Sequence, residues 1–258
     1  MEARLIREEA RPGAVQMALE EVAADTAAAG GPATVRVYRW EPATLSLGYR
    51  QPAATVDWDA CERAGIDVVR RQTGGGGIYH DPVGDISYSI VLPRAATPGG
   101  LEATYRELCT PVLEAFGRLG IDAGFAEAER PAVYEPACYL RGTDPAHDVV
   151  VGGRKISGNA QYRRREAVVQ HGSLSYSLAP ERHLAGFTTS ATPAEFRERV
   201  TAIDREVALD RAAAVTALEG ALAEWAGASE GAWREEELER ARDLVVGKYR
   251  DDEWTRRR

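Results

Sequence analysis

Cysteine is scarce in this sequence, and none of it is spaced for a metal or redox centre. Cys61, Cys109 and Cys138 are an odd count with no CxxC pair. A disulfide framework and a structural zinc site are therefore not expected. The N-terminus, Met1-Glu2-Ala3-Arg4, lacks the apolar run of a signal peptide. Nowhere does the chain hold the roughly 18 consecutive apolar residues of a membrane span. A reduced, cytoplasmic protein with no membrane partner is the expectation. Basic excess is missing too. The net charge is −8, so no nucleic-acid footprint is expected. No internal repeat or low-complexity linker interrupts the chain.

What is there suits a globular protein. The 258 residues, 44% of them hydrophobic, suffice for a well-buried core. Residues 14–29 read as a helix stopped by Gly30-Gly31-Pro32. Residues 34–38 and 44–49 alternate and read as the two strands of a hairpin around Trp40-Glu41-Pro42. Asp57 caps a short helix that ends at Gly65. Residues 66–71 form a strand, and 85–92 form another, with Ile86, Tyr88, Ile90 and Leu92 on one face. Leu101, Tyr105, Leu108, Val112, Phe116 and Leu119 recur at helical spacing up to Gly120. Residues 147–151 extend, and strand material flanks His171-Gly172 on both sides. Residues 193–200, 210–226 and 235–249 read as helices. Strands early and helices late predict an α+β fold rather than a parallel βαβ sheet.

The chain's chemistry gathers in two clusters. The first is Arg70-Arg71-Gln72-Thr73-Gly74-Gly75-Gly76-Gly77-Ile78-Tyr79-His80-Asp81. It lacks the Gly-Lys-Ser/Thr ending of a P-loop and the context of a dinucleotide fingerprint. Its glycines are either a flexible turn or a backbone cradle for a carbonyl, phosphate or apolar chain. Arg71 is either a surface residue or a bidentate anion binder. His80 and Asp81 read as a turn cap, a metal pair or an orienting pair, with structure favoured for Asp81.

The second cluster is Gly153-Arg154-Lys155-Ile156-Ser157-Gly158-Asn159-Ala160-Gln161. Lys155 is either a solvated surface amine or a cation placed to stabilise an oxyanion. Cys138 sits in a polar stretch rather than on an apolar face. The thiolate is the nucleophilic form of cysteine, and a nearby ammonium favours it. His171 is either a general base or a buried hydrogen-bonding group. Cys61 and Cys109 fall on helices and read as ordinary core.

Together these segments resemble the lipoate ligase and octanoyltransferase superfamily. The two clusters carry the resemblance, with Gly84-Asp85-Ile86-Ser87-Tyr88-Ser89 and Gln170-His171-Gly172-Ser173-Leu174. Met17-Ala18-Leu19-Glu20-Glu21, the segment from Trp40 to Gly48, Lys248-Tyr249 and Glu253-Trp254 extend it over the whole chain. The resemblance implies the biotin/lipoate protein ligase catalytic fold, a mixed sheet with flanking helices related to class II synthetases. It implies one such domain over 1–258, a helical segment at about 193–250 and no accessory domain.

Two chemistries compete within that family. One moves octanoate from acyl carrier protein through a cysteine thioester and needs no cofactor or metal. The other is ATP- and Mg-dependent ligation of lipoate through an acyl-adenylate. Cys138-Tyr139, shortly before the Gly-Arg-Lys segment, resembles the transferase branch. Asp85, where ligases commonly carry Asn, points the same way, whereas Asp148 resembles the ligase pattern. On the transferase reading Cys138 and Lys155 are catalytic. Arg71, Gly74, Gly75, Gly76, Gly77, His80, Gly158, Ala160 and His171 would bind substrate. The acceptor is then a lysine on lipoyl domains of 2-oxoacid dehydrogenases or on the glycine cleavage H protein. A carrier that binds acyl chains without turnover is the non-enzymatic alternative.

Overall fold

A computed structural model of the chain describes residues 2–143 and 147–257. In chain order the elements begin with β1 (Ala3–Arg11), α1 (Gly13–Ala28), β2 (Ala33–Trp40), β3 (Thr44–Leu47), α2 (Trp58–Ala64), β4 (Asp67–Arg70), β5 (Ile78–His80) and β6 (Asp85–Pro93). Next come α3 (Leu101–Arg118), β7 (Gly124–Phe125), β8 (Val149–Val151), β9 (Arg154–Arg163) and β10 (Ala167–Ser175). The remainder is α4 (Pro180–Ala185), α5 (Pro193–Arg199), α6 (Ile203–Glu206), α7 (Arg211–Ala226), β11 (Ser229–Glu230), α8 (Glu235–Leu244) and α9 (Asp252–Thr255). This is the expected α+β arrangement of mixed sheets and flanking helices.

The larger sheet has eight strands in the order β11-β1-β2-β6-β10-β9-β8-β7. Its β11, β1 and β2 run parallel, and pairing is antiparallel from β2 onward. The alternation expected on β6 holds. Ile86, Tyr88, Ile90 and Leu92 face α3 and α7, packing on Leu108, Val112, Phe116, Leu218 and Leu222. The opposite face receives α1 and the C-terminal helix, with Met17, Leu19 and Val22 against Tyr38, Trp40 and Tyr249. A smaller sheet, β4-β3-β5, stands apart.

One expectation changes and two unassigned segments gain strands. Residues 34–38 and 44–49 are not a hairpin, because β2 pairs with β1 and β6 on its two edges while β3 belongs to the smaller sheet. Alternation reports which face is buried, not which strand lies alongside. The second cluster, to which the sequence reading gave no element, is the strand β9, and the strand material on either side of His171-Gly172 is one continuous strand, β10. Strand β1, which the sequence reading passed over, carries Leu5 into the core beneath charged neighbours.

One buried pair ties the C-terminal helix to the sheet. Arg4 of β1 donates to both carboxylate oxygens of Glu237 on α8, at 2.8 and 2.6 Å, and Thr26 of α1 adds a third donor at 3.0 Å. Burial works to raise the Glu237 carboxyl, but these donors outweigh it and hold it at about 2, against an ordinary 4.5. Because the folded value is depressed, the stabilisation is present above pH 4.5 and is lost as pH falls toward 2. A shift of that size corresponds to about 3 kcal/mol. Denaturant unfolding of Glu237→Gln should show a loss of that order at pH 7, with the gap to the parent closing in acid. A pH-independent gap would reject this account.

Candidate active site

The glycine loop, residues 71–77, runs from β4 to β5 and is held from within. Arg71 is 2% exposed. It donates from Nη2 to the carbonyls of Gly74 and Gly76 at 2.6 and 2.8 Å. Nη1 donates to the Ser46 carbonyl at 2.8 Å, and Nε to the Thr73 hydroxyl at 2.9 Å. Burial pushes the guanidinium down to about 10, so it stays charged at neutral pH. Its donors face three backbone carbonyls and the Thr73 hydroxyl, so the loop is pinned from within.

Each glycine meets a different demand. Gly75 has φ +88°, a left-handed conformation that a side chain would strain. A Cβ on Gly76 would stand 2.8 Å from the Cys138 backbone nitrogen and 2.9 Å from the Pro136 carbonyl. One on Gly77 would stand 2.8 Å from the Phe187 ring. Gly74 faces open space.

That close approach fixes Cys138. Gly77 N–H donates to the Pro136 carbonyl at 2.6 Å, and Cys138 N–H donates to the Gly77 carbonyl at 2.9 Å. The side chain then lies against bare backbone. A Cβ on Gly158 of β9 would sit 2.8 Å from the Cys138 Sγ and 3.7 Å from the Lys155 Cε. Thiol and lysine thus flank one methyl-sized gap. Of the three cysteines only Cys138 is not fully buried. Burial drives the Cys61 thiol to about 11 and the Cys109 thiol to about 12, which leaves both inert near neutrality.

Lys155 enters from the start of β9 and is 4% exposed. Its Nζ pairs with Asp148 at 2.6 Å and donates to the Cys138 carbonyl at 3.2 Å. Burial opposes the charge, but Cys138 and Asp148 outweigh it and raise the ammonium's pKa. A fixed cation therefore stands at the Cys138 peptide.

The histidines are bracketed. His80 stacks on Trp40 at 4.1 Å, with Nε2 2.9 Å from the Ser46 hydroxyl and Nδ1 3.2 Å from Asp85. Burial lowers its pKa despite Asp85, so the ring is neutral. Asp81 instead accepts the N–H groups of Val83 and Gly84, both at 2.9 Å, which makes it a turn cap. His171 of β10 sits between the Thr73 hydroxyl, 2.7 Å from Nε2, and Glu20, 3.0 Å from Nδ1. Burial works against the Glu20 charge, yet His171, Arg36 and Arg71 lower its pKa. Ala160 lies directly opposite His171 across the β9–β10 ladder.

These groups line a partly enclosed cavity between the larger sheet and β3–β5. Met17, Tyr38, Trp40 and Ile78 form its apolar wall, and Cys138, Gly158 and His171 also line it. The lining suits a largely apolar ligand. Gly75 also borders a wider outer basin of about 1040 Å³ that holds Arg50, Arg141 and Arg163. Thus Arg71, Gly75, His80, Cys138, Gly158, Ala160 and His171 converge on one cavity, with Lys155 behind Cys138. Gly74 and Gly76 lie on the basin side.

The sequence reading assigned no role to Glu20, Thr73 or Asp148. Glu20's signal is a carboxylate on the buried stripe of an alanine-rich helix, alongside Met17 and Ala24. Asp148 immediately precedes a run of three valines and is 3% exposed.

Known proteins resemble the chain over most of its length. Residues 12–224 match the lipoyl protein ligase A/B catalytic domain. The chain is 33% identical to the octanoyltransferase LipM of Symbiobacterium thermophilum, over 99% of this chain and 98% of the relative. A putative lipoate protein ligase from T. acidophilum with bound lipoic acid superposes with a TM-score of 0.82 at 26% identity, covering 99% of each chain. A lipoate-protein ligase A bound with ATP does so equally, at 27% identity. The chain belongs to the lipoyl protein ligase A/B catalytic domain family.

Proposed function

We propose that this protein is an octanoyltransferase of protein lipoylation that works through a thioester on Cys138. The observation that carries the reading is the Cys138 thiol set against the bare Gly158 backbone, with the buried Lys155 ammonium on its peptide, at the wall of an apolar cavity. The similarity to LipM enzymes supports the same activity.

The octanoyl chain would lie along Met17, Trp40 and Ile78, where apolar burial contributes about 0.8 kcal/mol per methylene. Cys138 thiolate attacks the carbonyl carbon of octanoyl-acyl carrier protein. The new C–S bond converts the carbonyl oxygen to an oxyanion. Lys155 and N–H groups of the glycine loop stabilise that charge, each such donor contributing about 3 kcal/mol. Collapse breaks the donor's C–S bond, and the carrier leaves as a thiolate that takes up a proton. A neutral lysine amine of a lipoyl domain then attacks the Cys138 thioester. The amide forms, the amine loses its proton, and the Cys138 thiolate is released.

No step calls for a nucleotide. Every oxygen of Asp81 and Asp85, the carboxylates beside His80, already accepts from a protein donor, so the pair is poorly disposed to hold a magnesium-nucleotide. ATP-dependent lipoate ligation is the second reading, favoured by the similarity to an ATP-bound ligase.

Mass spectrometry of the protein mixed with octanoyl-acyl carrier protein tests the choice. The expected result is a gain of one octanoyl group, on the peptide containing Cys138, that disappears when a lipoyl domain is added. No adduct, together with AMP release from free lipoate and ATP, would establish the ligase instead.

A further inference from the structure

The Cys138 site depends on a loop whose shape is imposed by side chains in the wall of the same cavity. Arg71 Nη2 takes the carbonyls of Gly74 and Gly76. In a planar trans peptide the next N–H points away from that carbonyl. The Gly77 N–H is therefore turned to the Pro136 carbonyl, and Gly77 in turn accepts the Cys138 N–H. The Gly75 N–H is turned away from the guanidinium by the same rule, at the wall shared by cavity and basin.

Arg71 is itself held by a chain of hydrogen bonds that runs through Thr73 and His171 to Glu20. Thr73 Oγ1 accepts from Arg71 Nε, so its single proton is available to His171 Nε2. Nε2 can accept only if the ring proton is on Nδ1, and Glu20 faces Nδ1 with both carboxylate oxygens at 3.0 Å. Both ring nitrogens are thus engaged, and His171 has no lone pair left to serve as the general base.

We propose that Glu20, His171 and Thr73 are a positioning relay that sets the guanidinium of Arg71, and through it the register of the glycine loop against Cys138. The relay rests on the acyl-transfer reading for its function but not on the thioester. The loop cradles the acyl carbonyl whichever nucleophile takes it. Its failure would leave the reacting groups present but misplaced, so the chemical step suffers while apolar binding of the chain is preserved. Misplacement of that kind costs on the order of 100-fold in rate.

The test compares Thr73→Val, which keeps the shape and removes the hydroxyl, with Thr73→Ser, which restores it. Steady-state octanoyl transfer to a lipoyl domain should show kcat reduced by roughly 10- to 100-fold in Thr73→Val. KM for the octanoyl donor should stay near the parent value, the melting temperature should fall as the buried Arg71 Nε and His171 Nε2 lose their partner, and Thr73→Ser should recover most of kcat. His171→Phe and His171→Gln read the same link from the other side, because the glutamine amide can still accept from Thr73. Parent-like kcat in Thr73→Val, or equal loss in Thr73→Ser, would overturn the relay, as would a fall in melting temperature with kcat per folded molecule unchanged. The parent's acylation, followed by mass, reports separately on Cys138. If the parent uses ATP and free octanoate instead, the same variant pairs are compared in that reaction.

Discussion

Cys138→Ala is expected to lower kcat for octanoyl transfer by at least about 10⁴-fold, the order seen when a covalent nucleophile is removed from an otherwise intact site. The fold should tolerate it. What anchors residue 138 is backbone, the N–H to the Gly77 carbonyl at 2.9 Å, and alanine keeps that bond. The expected phenotype is thus a folded protein that still binds the acyl chain and no longer accepts it covalently. Cys61→Ala provides the contrast, since its thiol is buried, pushed up to about 11 and away from the cavity. It should keep parent kcat. In the folded parent, iodoacetamide should label Cys138 and spare the other two thiols. Transfer by Cys138→Ala within tenfold of the parent would eliminate the thioester route.

The second large effect is at Lys155, where activity and stability can be separated. Lys155→Met removes a cation from the developing oxyanion, and loss of such a donor costs about 10²- to 10³-fold in kcat. It also takes away the ammonium that faces Asp148 at 2.6 Å, both side chains being 4% exposed. Removing one partner of a buried ion pair destabilises by about 3–5 kcal/mol. Adding Asp148→Asn removes the remaining charge, so the double variant should regain much of the lost stability. Activity should not return with it, because no cation stands at the Cys138 carbonyl. Measured by denaturant unfolding and by transfer rate, the two readouts should diverge. Recovery of activity along with stability would reduce Lys155 to a structural role.

Much of the architecture is local and therefore written in the chain. Asp57 and Gly65 bracket α2 through an N-cap bond and a left-handed C-cap, both decided within a few residues. The stripe from Leu108 to Phe116 and the alternation of Ile86, Tyr88 and Ile90 mark which faces are buried, since each period depends on one element's own geometry. Pairing was less legible. The strands 33–40 and 44–47 are separated by three residues, yet they serve different sheets, because β2 has both edges taken by β1 and β6. Likewise β9 was hidden by its glycine, serine and asparagine. Its strand conformation comes from the ladders to β8 and β10 rather than from local propensity.

Sequence by itself determined the inventory of the site: a glycine run after paired arginines, one cysteine off any apolar face, and one lysine among small residues. It left open whether the glycines were a flexible turn or a cradle, and the close contacts at Gly76 and Gly77 came only from the fold. Only the tertiary structure decided what these parts do to one another. Glu20 and His171 are 151 positions apart, and Lys155 meets the carbonyl of Cys138 across 17. Such contacts carry no period or spacing that a chain can display. They arise when β3–β5 close over the α1 face of the larger sheet. That closure turns Arg71 inward onto its own loop. It also takes Lys155 out of water, where Asp148 at 2.6 Å holds its charge against the cost of burial.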